Sequence, residues 1–224
     1  MTNCSTLVLD LGGVISHTVF ETHADSEKAL GLAPGTLNWR GPFDPENDPL
    51  WWAMQAGEIS QRDYWYTRAR ETGKLVGEEC SDLSSFLRRV RGAEPDRIIR
   101  PEARAAIETA STAGKTLAIL SNELDLFYGA DFRVKLPLLE KFDLIVDATY
   151  SKILKPDPRA YAAITEGLDI NAQDCVFIDD RRNNYAGACD FNMVAVHFDV
   201  KEPLTGYNEA LAHLGLPPLP GDFE

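Results

Sequence analysis

The sequence predicts an α/β protein with a parallel β-sheet, and three observations lead to this fold class. Five short apolar runs are each bounded by turn residues, which is typical of the buried strands of a parallel sheet. From Pro101 onward these runs alternate with helical stretches, as in strand–helix–strand units with right-handed crossovers. A long helical stretch, residues 16–95, separates the first run from the rest and predicts an insertion after the first strand.

The predicted strands are the apolar runs themselves, at residues 7–9, 116–120, 144–146, 175–178 and 193–196. Helices are expected between them. Pro101 suits a first helical position and Gly114 ends that helix, while Asp157 and Pro158 provide the cap and first position of the next. A short helix is expected around residues 185–189. Together, residues 1–15 and 96–224 are predicted to form one α/β core.

The insertion, residues 16–95, is predicted to be a separate helical unit. Its helices are expected at residues 61–71, capped by Ser60, and at residues 81–92, where Ser81 caps the start and Gly92 ends the helix. Residues 40–49 contain three prolines and a glycine and are expected to form a loop. The unit contains all four tryptophans of the chain, which are expected to form its small core: Trp39, Trp51, Trp52 and Trp65.

Composition narrows the possible partners and the compartment. The 224 residues have a formal net charge of −13, which argues against binding to nucleic acid or to an anionic membrane. The four cysteines have no CxxC spacing, so neither a zinc site nor a disulfide framework is indicated, and Cys175 is expected in the core. With no leader pattern and no apolar run of membrane-spanning length, we expect a cytoplasmic protein, monomeric or homodimeric, that acts on a small molecule.

Polar residues follow the strands or precede a helix at four places. Parallel strands bring their carboxyl ends to one edge of the sheet, so these side chains are expected to meet there. Singly, each cluster is also typical of a turn, a linker or a helix cap. The clusters are Asp10, Ser121 with Asn122, Lys155 before Pro156, and Asp179 and Asp180 with Asn184.

Together these residue types suit phosphoryl transfer. Asp10 and Asp180 can bind Mg²⁺, which prefers oxygen ligands, and Asp10 can also attack phosphorus to form an aspartyl-phosphate. The Ser121 hydroxyl and the Lys155 ammonium can hold the oxygens of the transferred group. Gly12 and Gly13 after the first strand allow a sharp turn and a close approach of the backbone to a bound group.

In these motifs the chain resembles the haloacid dehalogenase superfamily of aspartate-nucleophile hydrolases, with four motifs in order across residues 7–188. The resemblance implies a Rossmann-like parallel sheet with helices on both faces and a subclass I helical cap inserted after the first motif. It implies Asp10 as nucleophile, Ser121 and Lys155 as catalytic partners, and a Mg²⁺ site. The expected metal ligands are Asp10, the carbonyl of Gly12, Asp179 and Asp180, with Asn184 in support; Gly12, Gly13, Asn122 and His17 are expected to bind substrate.

One position departs from the family pattern. Phosphatases of this family usually have a second aspartate two residues after the nucleophile as general acid, and here that residue is Gly12. General acid catalysis typically contributes 10²–10⁴-fold. Another acid or a good leaving group is therefore needed, and His17 and His23 lie close enough in sequence to be considered. The Asp-Leu-Gly-Gly-Val pattern is similar to that of a subset that includes sugar-phosphate phosphatases.

The sequence favours a Mg²⁺-dependent phosphatase acting on a small phosphorylated metabolite. A 2-haloacid dehalogenase, in which the aspartate attacks carbon without a metal, is the second hypothesis. Against it, Asp179, Asp180 and Asn184 fit metal binding, and the Ser-Ser-Asn pattern typical of dehalogenases is absent around Ser121. A third hypothesis is a binding or regulatory protein of this fold with weak catalysis.

Overall fold

The computed structural model describes residues 3–79, 83–91, 95–129, 131–221 and 223. It contains a five-stranded parallel sheet in the order β3-β2-β1-β4-β5. The strands are β1 (Thr6–Leu9), β2 (Thr116–Ser121), β3 (Leu144–Asp147), β4 (Cys175–Asp179) and β5 (Val194–His197). The α/β prediction is confirmed, and each predicted strand lies within one residue of its observed ends. Strand β1 pairs with both β2 and β4, so the chain after Leu9 emerges at the centre of the sheet, where the strand order reverses.

Eleven α-helices lie within the described part of the chain. The first four lie within residues 16–95, which follow β1: α1 (His23–Leu30), α2 (Pro49–Gln55), α3 (Gln61–Val76) and α4 (Leu83–Arg91). The others are α5 (Pro101–Thr112), α6 (Leu124–Tyr128), α7 (Phe132–Lys135), α8 (Ala148–Ser151), α9 (Pro158–Leu168), α10 (Arg182–Asp190) and α11 (Pro203–His213). None of the helices in these ranges is both long and apolar enough to span a bilayer.

The sheet is covered on both faces because neighbouring strand residues point in opposite directions. Leu7 and Leu9 belong to a large apolar cluster that also contains residues of α5 and α11. Val8, between them, belongs to a second cluster with residues of α9 and α10. The apolar strands are therefore buried from both sides, as their continuous apolar runs predict.

The helix signals read from the sequence agree well with the observed ends. The Ser60 hydroxyl accepts a hydrogen bond from the backbone of Asp63, whose carboxylate accepts one in return, so α3 begins with a capping box. The Asp157 carboxylate caps α9, and Pro101 is the first residue of α5. The predicted Ser81 cap and Gly92 stop of α4 lie outside the described residues. The loop prediction for residues 40–49 needs one correction, since α2 already begins at Pro49, where the Asp48 carboxylate accepts from Trp51 N.

An aromatic cluster fills the space between the helices that follow β1. Trp39 and Trp65 are buried and pack around Phe20, whose ring centroid lies 5.7 and 5.6 Å from theirs. These two tryptophans are core residues, as predicted, whereas Trp52 is 56% exposed. The division into a core and an inserted cap stays a prediction.

Three of the four cysteines lie within the described residues. Cys4, Cys175 and Cys189 are free thiols, and Cys175 is fully buried in the core as expected. Cys80 lies outside the described residues. The part of the chain that the structure describes therefore contains no disulfide framework.

A buried ion pair connects the segment after β1 to the start of α5. The Arg100 guanidinium is 2% exposed and donates to both carboxylate oxygens of Glu21, at 2.8 and 2.7 Å, and to the carbonyl of Gly13 at 3.0 Å. Burial would raise the pKa of Glu21, but hydrogen bonds from His17 and Thr18 and the charge of Arg100 lower this pKa to about 2. Glu21 therefore contributes stability in its ionised form.

Acid is expected to weaken this contact in a defined range. Because the pKa of Glu21 falls from 4.5 to about 2 on folding, its contribution is complete above pH 4.5 and is lost as the pH falls towards 2. The shift corresponds to about 3 kcal/mol. We expect Glu21→Gln to be less stable than the unaltered protein at pH 6 in urea unfolding, and the difference to shrink as the pH falls below 4.5. A difference that does not change with pH would contradict the assignment.

Candidate active site

A buried lysine joins the carboxylates at the ends of the two central strands. Lys155 Nζ donates to Asp10 Oδ1 at 2.8 Å, to Asp179 Oδ2 at 2.7 Å and to the carbonyl of Leu120 at 2.6 Å. Its side chain is only 1% exposed. Asp10 follows β1 and Asp179 ends β4, so the pairing of these two strands places both carboxylates beside the same ammonium.

Asp180 adds a third carboxylate to this cluster. One oxygen from each of Asp10, Asp179 and Asp180 lies within 4.8 Å of the others. Burial raises the pKa of Asp10 to about 6; the ammonium of Lys155 opposes this rise and the charge of Asp179 adds to it. Burial, with the charges of Asp179 and Asp10, also raises the pKa of Asp180 well above its ordinary value. Three carboxylates beside one ammonium leave excess negative charge, which fits a divalent cation held by oxygen ligands.

The two neighbouring aspartates occupy different environments. Asp179 is fully buried, and its oxygens accept hydrogen bonds from Lys155 Nζ, from Asn184 Nδ2 at 3.0 and 3.1 Å, and from the backbone of Arg181 at 2.9 Å. Asp180 is half-buried and lines the pocket described below. We infer that Asp179 anchors the site and that Asp10 and Asp180 present carboxylate oxygens to the pocket.

Gly13 leaves the space that Asp180 needs. It has a φ of +89°, and a Cβ built on it would lie 3.1 Å from Asp180 Oδ2. A side chain here would be strained by its backbone conformation and crowded by the carboxylate. The structure therefore gives Gly13 a supporting role behind Asp180, and Gly13 is not among the residues that line the pocket.

A pocket of about 50 Å³ opens beside Asp10. It is lined by Asp10, Gly12, Gln61, Ser121, Asn122, Glu123, Phe127, Tyr128, Lys155, Asp180, Arg181 and Asn184. A larger space of about 350 Å³ adjoins it and shares residues such as Asn122 and Lys155. The structure thus brings most of the predicted site residues to one place.

Two residues predicted to bind substrate have other contacts. His17 is absent from the pocket lining, because its Nδ1 lies 3.2 Å from Glu21 Oε1, beside Arg100. Asn122 lines the pocket but uses both polar atoms on the backbone of Lys155: its Oδ1 accepts from Lys155 N at 2.7 Å and its Nδ2 donates to Lys155 O at 3.2 Å. Asn122 therefore positions the lysine. His23, the other histidine considered, is buried against Trp39.

Several pocket residues were not predicted from the sequence. Gln61 and Arg62, at the start of α3, reach the loops after β2 and β4. Arg62 donates to the carboxylate of Glu123, and Arg181 donates to Gln61 Oε1 at 2.7 Å. The only sequence signal for Glu123 is that it directly follows Ser121 and Asn122. Gln61 carries no such signal, because it lies 120 residues from its partner.

Comparisons with known proteins show the family. The family model described as haloacid dehalogenase-like hydrolase matches residues 4–191. The mouse (Mus musculus) protein acyl-CoA dehydrogenase family member 10 is 31% identical over 94% of this chain and 20% of its own length. A phosphatase of Mycobacterium tuberculosis is 33% identical over 39% of this chain and 41% of its own length. The (S)-2-haloacid dehalogenase 4A of Burkholderia cepacia is 28% identical over 61% of this chain and 59% of its own length. The chain therefore spans less than two thirds of each of these three relatives.

Solved structures show the same fold at lower identity. The Bacillus subtilis hydrolase YfnB, in a structure bound to magnesium, superposes with a TM-score of 0.64 at 18% identity, covering 88% of this chain and 87% of that one. L-2-haloacid dehalogenase from Xanthobacter autotrophicus superposes with a TM-score of 0.57 at 20% identity, covering 90% of this chain and 81% of that one. These superpositions show that the chain has the fold of these two proteins. More particularly, the chain belongs to the haloacid dehalogenase-like hydrolase family, in agreement with its motifs.

Proposed function

We propose that this protein is a Mg²⁺-dependent phosphatase that hydrolyses a small phosphorylated metabolite through an aspartyl-phosphate on Asp10. The observation that carries the proposal is the third carboxylate, Asp180, beside Asp10 and the Lys155–Asp179 pair. A site with this excess of negative charge suits a bound divalent cation and a phosphoryl group together. The proposal is also supported by the relatives that are phosphatases, in Mycobacterium tuberculosis and in Aspergillus oryzae.

Each residue of the site has its own role in the proposed phosphoryl transfer. Lys155 holds Asp10 Oδ1, and we assign the attack on phosphorus to Oδ2. Ser121 lines the pocket and provides a hydroxyl donor for an oxygen of the transferred group. The carboxylates of Asp10 and Asp180, with the anchored Asp179 behind them, would hold Mg²⁺, which neutralises phosphate charge when bound.

The second candidate function is haloacid dehalogenation. The observation that supports it is the similarity to the Burkholderia cepacia dehalogenase, which extends over 61% of this chain. In that reaction the aspartate attacks carbon and halide leaves, so a cation beside Asp10 has no function. The excess of carboxylates at this site therefore favours phosphatase over dehalogenase.

Phosphate and chloride release distinguish the two functions directly. We expect the protein to release phosphate from p-nitrophenyl phosphate when Mg²⁺ is present. Phosphate release should stop when EDTA is added, because the uncompensated carboxylates would repel the phosphate, and it should resume when Mg²⁺ is restored in excess. Chloride release from 2-chloropropionate is measured in parallel. Chloride release that EDTA does not affect, without phosphate release, would contradict the proposal and support dehalogenation.

A further inference from the structure

Cleavage of a phosphate ester needs a proton for the departing oxygen. An alkyl ester leaves as a strongly basic alkoxide, so a nearby proton donor accelerates its departure. Asp10 and Lys155 are the two nearest candidates for this proton donor, but both already have other roles. Asp10 is assigned to the attack, and all three hydrogens of the Lys155 ammonium are engaged, with Asp10, Asp179 and the carbonyl of Leu120.

The remaining side chains that line the pocket can be compared as donors. The Glu123 carboxylate is paired with the guanidinium of Arg62. Arg181 donates to Gln61, and a guanidinium does not give up its proton at neutral pH. Asp180 belongs to the carboxylate cluster. Among the lining residues that the structure describes, the hydroxyls are those of Ser121 and Tyr128, and a phenol is a much stronger acid than an alcohol.

The Tyr128 hydroxyl lies beside Gly12, two residues after Asp10. A Cβ built on Gly12 would have Tyr128 Oη as its nearest neighbour, at 3.9 Å. Tyr128 is the last residue of α6, is 8% exposed, and packs its ring against Phe132 with 4.5 Å between centroids. The absence of a side chain at Gly12 therefore leaves this phenol facing the pocket near the nucleophile.

Ser16 gives the phenol a partner for its proton. Ser16 Oγ is fully buried and lies 2.6 Å from Tyr128 Oη, at a distance where either oxygen can donate. Ser16 Oγ can also donate to the carbonyl of His17, at 3.1 Å. Ser16 Oγ can donate to Tyr128 Oη, which then acts as the acceptor of this bond; when Ser16 donates to His17 instead, Tyr128 can donate to Ser16 and accept from the pocket. Rotation of one hydroxyl thus prepares Tyr128 to give or to receive a proton.

We propose that Tyr128 is the proton donor for the leaving oxygen, with Ser16 as its positioning residue; this assignment rests on the proposed phosphatase function. In the first step Asp10 bonds to phosphorus, the ester P–O bond breaks, and the Tyr128 proton passes to the departing oxygen to give the free alcohol. In the second step a water molecule gives its proton back to the Tyr128 phenolate and attacks phosphorus, which releases Asp10 and phosphate. One ester and one water thus yield one alcohol and one phosphate.

The test is a series of esters with leaving groups of increasing basicity. The kcat/KM of the unaltered protein and of Tyr128→Phe is measured with p-nitrophenyl phosphate, phenyl phosphate and glycerol 2-phosphate. We expect the kcat/KM of the variant to fall by about 10²–10⁴-fold on the alkyl ester. On the nitrophenyl ester, whose leaving group needs no proton, we expect a loss of roughly ten-fold or less. Ser16→Ala is expected to show the same trend with a smaller loss, and it retains the packing of the tyrosine ring.

The control is Tyr150→Phe, which removes an exposed phenol that bonds to Asp125 away from the pocket. If Tyr128→Phe loses the same factor in kcat/KM for all three esters, or loses nothing, the assignment of Tyr128 is overturned. The proposed phosphatase function is not affected by that result. A selective loss on the alkyl ester in Glu123→Gln, with Tyr128→Phe unaffected, would transfer the role to Glu123. If Tyr128→Phe does not fold, the trend in Ser16→Ala decides. If the unaltered protein hydrolyses none of the esters, the proposed function fails and the assignment fails with it.

Discussion

Asp10→Asn is expected to reduce Mg²⁺-dependent phosphate release by about 10⁴-fold or more, as loss of a covalent nucleophile does in other enzymes. The amide is nearly the same size as the carboxylate, but its oxygen is uncharged and a poor nucleophile. The variant also keeps one oxygen that can accept a hydrogen bond from Lys155, so its fold should be retained. Phosphate release and thermal unfolding of the variant and of the unaltered protein provide the measurement.

The matched control is Asp190→Asn at the exposed end of α10, which makes the same chemical change away from the site. It should retain full activity. Rapid quenching of the unaltered protein during turnover, followed by mass spectrometry, should also show one phosphoryl group on the peptide that contains Asp10. Full turnover by Asp10→Asn, or a phosphoryl group on another residue, would exclude Asp10 as the nucleophile.

The sequence is most informative where the fold depends on local patterns. The strand ends at Asp10 and Asp179 could be predicted because apolar runs stop there, and parallel strands bring such ends together. Lys155 lies in the loop between α8 and α9, where the sheet order does not fix its distance from the aspartates, and the resemblance to the family singled it out. The clustering of these three residues was therefore expected, whereas their catalytic roles stay predictions.

The remaining features depend on contacts between distant segments. Tyr128 meets Ser16 across 112 residues, and Arg62 meets Glu123 across 61, so neither contact leaves a pattern in the sequence. The roles of His17 and Asn122 depend on hydrogen-bond geometry: a histidine near the nucleophile in sequence pairs with Glu21, and an asparagine at a strand end binds the Lys155 backbone. The residue types near the site could be predicted from the sequence, but their hydrogen-bond partners could be identified only from the structure.

Lys155→Met is the substitution for which we expect a large loss of both stability and activity. Lys155 is buried and compensates Asp10 and Asp179, and the second of these is fully buried. Removing one partner of a buried ion pair costs about 3–5 kcal/mol, because the other charge is left without compensation. Urea unfolding in EDTA, where no divalent cation can replace the ammonium, measures this loss. Lys152→Met is the matched control, since Lys152 is exposed and three residues away.

A second substitution separates the two contributions of Lys155. If the stability loss comes from the uncompensated charge of Asp179, then Lys155→Met combined with Asp179→Asn should regain part of the stability, because a buried amide costs less than a buried carboxylate. Activity should not return, since the ammonium that holds Asp10 is still missing. A double variant no more stable than Lys155→Met would show that packing of the lysine, rather than its charge, stabilises the site. Recovery of activity in the double variant would contradict a catalytic role for Lys155.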